Sequence, residues 1–240
     1  MRFASSSNFR RVGVGPAPGL PLKNVFRSDH LGALDEHDAA QIRALGIKRV
    51  LDFRGVHERT SAACRLPDVT VHSLPIEPTI VQKLGELVAS GHHLTADDVT
   101  AHMQDTYRGF VRHNTPRFAE FFQHLLASSE PTVFHCTAGK DRTGFAAALL
   151  LKAVGASDGE VMGDYLLTND RLQLPEASRM GLPREAMEVL WRVHPSFLQA
   201  AFYEVDANFG SLEAYFREGL GLREAERAAL REHYAPAARR

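Results

Sequence analysis

The stretch PTVFHCTAGKDRTGFAAALLLKAVG, residues 131–155, carries most of the information about the fold. Its opening, PTVFHC, is a short apolar run that predicts a buried strand. The part from Arg142 onwards is rich in strong helix formers and closes at Gly155, a residue type that often ends helices. The intervening HCTAGKDRTG, residues 135–144, is therefore predicted to join a strand to a helix.

The predicted loop has the properties of an anion site. Successive backbone N–H groups of such a loop and the amino terminus of the helix converge on one point. Cys136 lies at the start of the loop, where the same field favours the thiolate, the nucleophilic form of the side chain. Arg142, six positions later, can turn its planar guanidinium back and hold two oxygens of a transferring phosphoryl group. The pattern predicts attack by Cys136 on a phosphate ester that Arg142 holds.

Other residues of the loop have supporting roles in this prediction. Gly139 permits the tight turn that aims the amides inward, and the Thr143 hydroxyl can donate to the cysteine sulfur. His135 is expected to fix the loop by a hydrogen bond to the backbone, since a thiolate needs no separate base. The predicted phosphate-binding positions are Thr137, Ala138, Gly139, Lys140, Asp141 and Arg142.

The rest of the chain predicts an α/β fold with strands early and helices late. Strands are expected at IKRVLDF, residues 47–53, and at VTVHSLPI, residues 69–76. The expected helices cover residues 35–45, open at the capping boxes Thr95–Asp98 and Ser157–Glu160, start at Thr115–Pro116, and occupy residues 142–155, 189–205 and 211–220.

The chain is expected to form a single domain over residues 1–240. Residues 8–29 are dense in Gly and Pro without periodicity, so about residues 1–30 are predicted to be an irregular segment laid over the body. The tail, about residues 235–240, is expected to fray.

Composition and charge argue against several classes of function. The 240 residues carry a formal net charge of −1, which gives no global attraction to nucleic acid or to an anionic membrane. No segment has the apolar length of a membrane span or of a signal peptide. The two cysteines, Cys64 and Cys136, are too few for a disulfide scaffold, so a cytoplasmic location is predicted. Secretion by a route without a signal peptide stays open.

Motifs spread over most of the chain resemble one protein family. HCTAGKDRTG resembles the active-site loop of protein tyrosine phosphatases. Further segments look like the bacterial tyrosine/serine phosphatase family with an AGKDR loop: NFRRVG at 8–13, RSD at 27–29, LDFR at 51–54, and GSLEAYF followed by GLGL within 210–222. The resemblance implies a tyrosine-phosphatase-like central sheet flanked by helices, with additional C-terminal helices. It also implies hydrolysis of phosphate monoesters through a phosphocysteine intermediate, without a metal or another cofactor.

The resemblance leaves the substrate open. The family includes secreted effectors, similar to the mycobacterial-type tyrosine/lipid phosphatases, that also accept phosphoinositides, and Lys140 looks like the lysine that lipid phosphatases place in this loop. The expected partner is a phosphorylated protein or a phosphoinositide, with inorganic phosphate or a similar oxyanion in the loop. Alternatively, Lys140 is an exposed loop lysine. A catalytically silent phosphate-binding module is a further alternative.

Three aspartates are candidates for the general acid that protonates the leaving oxygen. The AGKDR resemblance implies Asp141, which is similar in placement to the loop aspartate of myotubularin-like lipid phosphatases. Asp52, at the end of the predicted strand in LDFR, is the second candidate, and Asp105 in QDTYRGF is the third. The alternatives are that Asp141 pairs with a local arginine and that Asp52 forms a salt bridge with Arg54 or caps a turn.

Two other polar features carry no functional prediction. Cys64 could form a protective disulfide with Cys136, but a structural or idle cysteine is favoured. His92, His93 and His102 lack a recognised metal-ligand spacing, so no metal site is predicted.

Overall fold

A five-stranded sheet forms the centre of the computed structural model, which describes residues 3–15, 19–77, 79–173 and 181–236. Its strands are β1 (Arg10–Arg11), β2 (Val25–Ser28), β3 (Arg49–Asp52), β4 (Thr70–Ser73) and β5 (Thr132–His135). Their order across the sheet is β1-β2-β5-β3-β4. β1 runs antiparallel to β2, and all other neighbours are parallel.

The parallel strands end at one edge of the sheet. In the register of the sheet, Ser28 and Asp52 both lie beside His135, the last residue of β5. Loops that follow parallel strands meet at the same edge, and ligands of α/β folds bind there. The segments after β2 and β3 are therefore brought to the predicted phosphate loop, which follows β5.

Helices surround this sheet. They are α1 (Glu36–Arg43), α2 (Val56–Ser61), α3 (Thr79–Ala89), α4 (Ala96–Ala127), α5 (Asp141–Ala153), α6 (Asp158–Leu166), α7 (Thr168–Arg171), α8 (Arg184–Trp191), α9 (Pro195–Phe209), α10 (Leu212–Ala214) and α11 (Glu224–Tyr234). A short π-helical turn, Tyr215–Gly219, follows α10 directly.

Two apolar clusters cover the two faces of the sheet. Side chains alternate between the faces of a strand, so Phe134 of β5 belongs to one cluster and its neighbour Val133 to the other. The large cluster, which includes Phe118 of α4 and Phe145 of α5, lies on the first face. The small cluster, which includes Ile42 of α1, lies on the second. The sheet is thus buried on both sides, as in other α/β folds.

Many of the predicted elements are confirmed. β3, β4 and β5 form where the alternating or apolar runs predict them, and α1 and α5 cover the predicted helical stretches. The capping box of Thr95 with Asp98 opens α4, and that of Ser157 with Glu160 opens α6.

The prediction of an irregular segment over about residues 1–30 is wrong in part. Arg10–Arg11 and Val25–Ser28 form β1 and β2, and β2 pairs in parallel with β5. Strands of two and four residues are too short to show an alternating pattern against a background of Gly and Pro. Pairing with β5, more than a hundred residues away in sequence, stabilises β2 instead.

The prediction of a helix start at Thr115–Pro116 is wrong, because α4 continues through Pro116. Proline lacks a backbone N–H, so the local signal favours a helix start at this point. In the folded chain, α4 packs against α8 and α9, and the Thr115 hydroxyl donates to the Val111 carbonyl at 2.7 Å. Tertiary packing outweighs the local preference.

The C-terminal helices are divided differently from the prediction. The stretch 189–205 is split between α8 and α9, and residues 211–220 contain α10 and the π-helical turn. Helices α2, α3 and α11 were not predicted from the sequence. The predicted frayed tail follows α11, and its residues 237–240 lie outside the described residues. Among the helices described, none combines the length and the apolar character that crossing a membrane requires.

Candidate active site

The predicted loop forms the floor of a cavity of about 940 Å³. Cys136 follows β5 directly and is 3 % exposed, and the first turn of α5 begins at Asp141. The loop residues that line the cavity are Cys136, Thr137, Ala138, Lys140, Asp141 and Arg142. The strand, loop and helix therefore present the cysteine and the helix amino terminus to the same space, as predicted.

The walls of the cavity are largely apolar, and its rim carries charged and polar side chains. The apolar wall consists of Pro75, Ile76, Ile80, Met103, Phe110, Met187, Leu190 and Trp191. Polar lining residues from α3 and α4 are Lys83, His102, Asp105, Thr106, Arg112, His113 and Asn114. A cavity of this kind accepts an apolar group whose charged end reaches the floor.

Arg142 directs one edge of its guanidinium at Glu58. Nη1 donates to one carboxylate oxygen at 2.7 Å and Nη2 to the other at 2.8 Å. Nη1 also donates to the carbonyl of Ile76 at 2.8 Å. Within the described parts of the chain, the Nε–H of Arg142 and the second N–H of Nη2 make no hydrogen bond. These two N–H groups form the other edge of the fork, which can bind two phosphate oxygens.

Glu58 is held as a carboxylate by several donors. Besides Arg142, the Thr137 hydroxyl donates to it, and the backbone N–H of Gly55 donates at 2.9 Å. Burial would raise the pKa of Glu58, but the hydrogen bonds and the charge of Arg142 outweigh burial and lower it to about 2. Burial likewise opposes the charged form of Arg142, yet the bonds with Glu58 and the charge of Cys136 raise its pKa above the ordinary value.

His135 and Gly139 flank and form part of the loop. His135 is buried, and its Nδ1 donates to the Cys136 carbonyl at 3.0 Å. Burial lowers the pKa of His135, which favours the neutral ring. Gly139 has a φ of +64°, a left-handed conformation that side chains disfavour.

Asp141 lies at the edge of the cavity and is oriented by a tyrosine of α4. The Tyr107 hydroxyl donates to its Oδ1 at 2.9 Å and accepts from the Tyr165 hydroxyl at 2.7 Å. Burial, and then the charge of Asp141, raise the pKa of Tyr107 well above its ordinary value, so Tyr107 remains a donor. The alternative for Asp141, a pair with a local arginine, is not what forms, because its nearest cation is Lys140 at 3.5 Å.

Asp52 does not reach the cavity, and its placement argues against an acid role. Its carboxylate accepts from Nε and Nη2 of Arg54, with the closer contact at 2.8 Å, and both side chains are almost fully buried. Burial would raise the pKa of Asp52, but the hydrogen bonds from the side chain and the backbone of Arg54 lower it overall. A buried, ion-paired carboxylate has no proton to give to a leaving group, so the salt-bridge alternative describes Asp52 correctly.

Two further expectations differ from the structure. Lys140 is not an exposed lysine, because it is 5 % exposed and its ammonium donates to the Leu190 carbonyl of α8. Lys140 nevertheless lines the cavity, and its ammonium lies 3.5 Å from the Asp141 carboxylate. The Thr143 hydroxyl is buried and bonds to no described residue, including the sulfur of Cys136, because α5 fixes its position. Asp105 lines the cavity, but it lies inside α4 and contacts Arg112 at 3.4 Å.

Glu58 and Tyr107 are not among the site residues predicted from the sequence. Glu58 follows β3 by six residues, so its arrival at the common edge of the parallel strands could have been predicted from topology. Tyr107 lies two positions after Asp105, and no local pattern distinguishes it from a core aromatic residue. Only the packing of α4 against α5 brings it to Asp141.

Comparisons with known proteins agree on one assignment. A sequence model described as the tyrosine phosphatase family matches residues 1–236. A Cupriavidus necator protein assigned as a tyrosine-protein phosphatase is 30 % identical, and the alignment covers 98 % of this chain and 88 % of that protein. The triple specificity protein phosphatase PtpB of Mycobacterium tuberculosis is 33 % identical, with 88 % of this chain and 90 % of PtpB covered. The crystal structure of TpbA from P. aeruginosa covers 80 % of this chain and 95 % of its own, with 18 % identity and a TM-score of 0.38, too low to support an inference.

Proposed function

This chain belongs to the tyrosine phosphatase family, and we propose that Cys136, Arg142 and Asp141 carry out its reaction at the floor of the cavity. The observation that supports this proposal best is the arrangement of Arg142. One edge of its guanidinium is fixed by Glu58, and the other edge stays available beside the cysteine loop. A preorganised cation of this kind stabilises the charge that develops on a transferring phosphoryl group.

The proposed mechanism has two covalent steps. The Cys136 thiolate attacks phosphorus, the bond from phosphorus to the ester oxygen breaks, and the phosphoryl group is held by Arg142 and the loop amides. Asp141 donates a proton to the leaving oxygen. Water then attacks the phosphocysteine, Asp141 takes a proton from that water, and phosphate leaves with the thiolate restored.

The preferred substrate in this proposal is a protein phosphorylated on tyrosine, with phosphoserine as a second protein substrate. The apolar wall above the loop suits an aromatic ring whose phosphate reaches the floor. A phosphoinositide stays as the alternative, because a cavity of about 940 Å³ is larger than one tyrosine ring needs. Lys140, the residue that suggested this alternative, lines the cavity, with its ammonium bonded to the Leu190 carbonyl and 3.5 Å from Asp141.

A cytoplasmic location is part of the proposal. Both cysteines, Cys64 and Cys136, are free thiols, and a reducing compartment keeps a nucleophilic cysteine active. Fractionation of the cells that express the chain, with antibodies to it, tests this placement. Recovery from the culture medium without cell lysis would contradict it.

Replacement of the nucleophile tests the proposed chemistry. Cys136→Ser should abolish turnover of an aryl phosphate while circular dichroism and Tm stay close to the wild type. Cys64→Ser is the matched control and should retain the wild-type rate. Turnover by Cys136→Ser at the wild-type rate would contradict the nucleophile assignment, and an inactive wild type would support a silent phosphate-binding module.

The dependence of the rate on the leaving group tests which aspartate is the general acid. Asp141→Asn should slow alkyl phosphates with poor leaving groups much more than aryl phosphates with good ones, because only the former need the proton. Asp52→Asn should lower Tm without this selectivity, since its carboxylate is paired with Arg54. An Asp141→Asn rate that is unchanged for poor leaving groups would contradict the acid role.

A substrate panel decides between the protein and the lipid alternatives. Phosphotyrosine peptides, phosphoserine peptides and soluble phosphoinositides are compared by kcat/KM under one set of conditions. We expect phosphotyrosine peptides to rank first. A higher kcat/KM for phosphoinositides would reverse the substrate assignment and leave the mechanism intact.

A further inference from the structure

The carbonyl groups of the phosphate loop are bound from behind by two N-terminal segments. The donors are the backbone N–H of His30, which bonds to Thr137 O at 2.9 Å, Nδ2 of Asn8, which bonds to Ala138 O and Gly139 O at 2.9 Å each, and Nη2 of Arg27, which bonds to Gly139 O at 2.9 Å. Three successive carbonyls are therefore fixed on the side of the loop that faces the protein.

The direction of these carbonyls determines the direction of the amides. A peptide unit is planar and trans, so the N–H that follows a carbonyl points the opposite way. When the carbonyls of residues 137–139 point back to the N-terminal segments, the N–H groups of residues 138–140 point away from them. Amides in this arrangement form a concave anion site.

Asn8 and Arg27 are themselves held by charged side chains. Asn8 is fully buried, its backbone N–H donates to Asp29 Oδ1 at 3.3 Å, and its side-chain oxygen accepts from Arg10. Arg27 is fully buried, and its Nη1 donates to Asp164 Oδ2 at 2.6 Å. Each of these two residues therefore bonds to a charged side chain through some of its polar groups and to a carbonyl of the loop through another.

Gly139 leaves the loop no room to move towards this support. A Cβ atom at this position would lie 2.2 Å from the carbonyl oxygen of Ser28, at the end of β2. The loop therefore rests directly on the RSD segment, and its distance from Arg27 is fixed by contact.

We propose that Asn8 and Arg27 are positioning residues for the phosphate loop: they hold its carbonyls back so that its amides face the substrate phosphate. This inference rests on the proposed function, since it assigns the loop to phosphate binding. It gives a physical role to the NFRRVG and RSD segments, which otherwise lie outside the chemistry.

Two variants remove the hold on the carbonyls and keep a polar group in place. Asn8→Asp has nearly the same shape but no side-chain N–H donor, and Arg27→Lys keeps the charge beside Asp164 but lacks the second arm that reaches Gly139. Arg27→Lys removes one such hydrogen bond and should weaken tungstate binding by about tenfold, and Asn8→Asp removes two and should weaken it at least as much. The dissociation constant for tungstate is measured by calorimetry, and kcat and KM for an aryl phosphate are measured separately.

Thr132→Val is the matched control. Thr132 is fully buried at the start of β5, the end of the strand away from the loop, and its hydroxyl donates to the Glu130 carbonyl at 2.8 Å. This variant should lower Tm and leave the dissociation constant for tungstate unchanged, whereas Asn8→Asp and Arg27→Lys should change both the dissociation constant and kcat.

Two outcomes have different meanings. If the wild type binds tungstate and both variants bind it equally well, the positioning role is overturned and the proposed function stands. If the wild type does not bind tungstate, the proposed function fails and this inference fails with it. Should one variant not fold, the other decides.

Discussion

Glu58 is the single residue on which the orientation of Arg142 depends most. It binds both terminal nitrogens of the guanidinium and the Thr137 hydroxyl of the loop. Glu58→Gln removes the charge and one acceptor, so Arg142 loses its fixed orientation. A hydrogen bond to a charged group contributes roughly 1.5–3 kcal/mol, so kcat/KM for an aryl phosphate should fall by about ten- to a hundredfold.

The control for this variant is Glu120→Gln. Glu120 pairs with Arg117 at 2.7 Å on the exposed surface of α4, so the same chemical change is made away from the loop. It should leave kcat/KM unchanged. Equal activity of the wild type and Glu58→Gln would contradict the role of Glu58.

The pKa of Glu58 predicts how the contribution of the Glu58–Arg142 ion pair to the free energy of unfolding depends on pH. The folded-state pKa is lowered to about 2 from an ordinary value of 4.5, so the folded state favours the carboxylate. The stability that results is present above about pH 4.5 and is lost as pH falls towards about 2. The difference in free energy of unfolding between the wild type and Glu58→Gln, measured by urea titration, should therefore shrink over this range. A difference that is independent of pH would contradict the ion pair.

Tyr107 is predicted to position Asp141 for proton transfer. Tyr107→Phe removes the hydroxyl that donates to Asp141 at 2.9 Å, so the carboxyl group loses its fixed orientation. The rate with poor leaving groups should fall by about tenfold, and the rate with good leaving groups should change little. Tyr215→Phe is the control, because Tyr215 is also buried but bonds to Thr115. An equal fall for all leaving groups would indicate a purely structural role.

Local sequence patterns predicted those strands and helices whose formation depends on neighbouring residues. The strand, loop and helix from Thr132 to Ala153 were predictable because apolar runs, helix formers and a closing glycine act within a few residues of each other. β2 was not, because its pairing with β5 is a long-range contact. The helix start predicted at Pro116 was wrong for the same reason, since the packing of the whole of α4 outweighs the local preference of one proline. Within the site, Cys136 and Arg142 could be predicted from spacing and Glu58 from the topology of the sheet, whereas Tyr107 could not, because only the packing of α4 brings it to Asp141.

A buried ion cluster fixes α6 to the sheet. Asp164 of α6 accepts from Arg27 of β2 at 2.6 Å and lies 3.8 Å from Arg10 of β1, and all three side chains are almost completely buried. Burial, and then the charge of Arg27, lower the pKa of Arg10 to about 9. Asp164→Asn would leave two buried cations without a counter-charge, so the free energy of unfolding should fall by about 3–5 kcal/mol.

Asp158→Asn on the same helix provides the control. Asp158 is 95 % exposed in its contact with Lys152, and exposed pairs contribute about 0–1 kcal/mol. Urea unfolding of both variants, followed by circular dichroism, compares them directly. If the two variants lose the same free energy of unfolding, the buried cluster does not stabilise the fold.

The whole molecule is organised around a sheet that both apolar clusters share. Along β2, β3 and β5, alternate residues belong to the large and to the small cluster. Loss of packing in one cluster therefore destabilises the strands on which the other cluster packs. The phosphate loop leaves this sheet at its common edge and receives contacts from segments that also belong to the small cluster, such as residues around Phe9 and Leu31. We therefore expect the whole chain to unfold as a single domain, because the same strands carry both clusters.

A substitution in the small cluster tests whether the chain unfolds as one unit. Trp191, the only tryptophan, lies on α8 beside the cavity and reports the large-cluster side by fluorescence, whereas circular dichroism reports all helices. Ile42→Ala, in the small cluster, should lower the free energy of unfolding by about 2–5 kcal/mol. Both signals should shift together to the same lower urea midpoint, because loss of packing on one face destabilises the strands that also form the other face.

Gln41→Ala, at an exposed position of the same helix, is the control and should leave both urea midpoints unchanged. A fluorescence midpoint that stays at the wild-type value in Ile42→Ala, while the circular dichroism midpoint falls, would show that the two faces unfold independently.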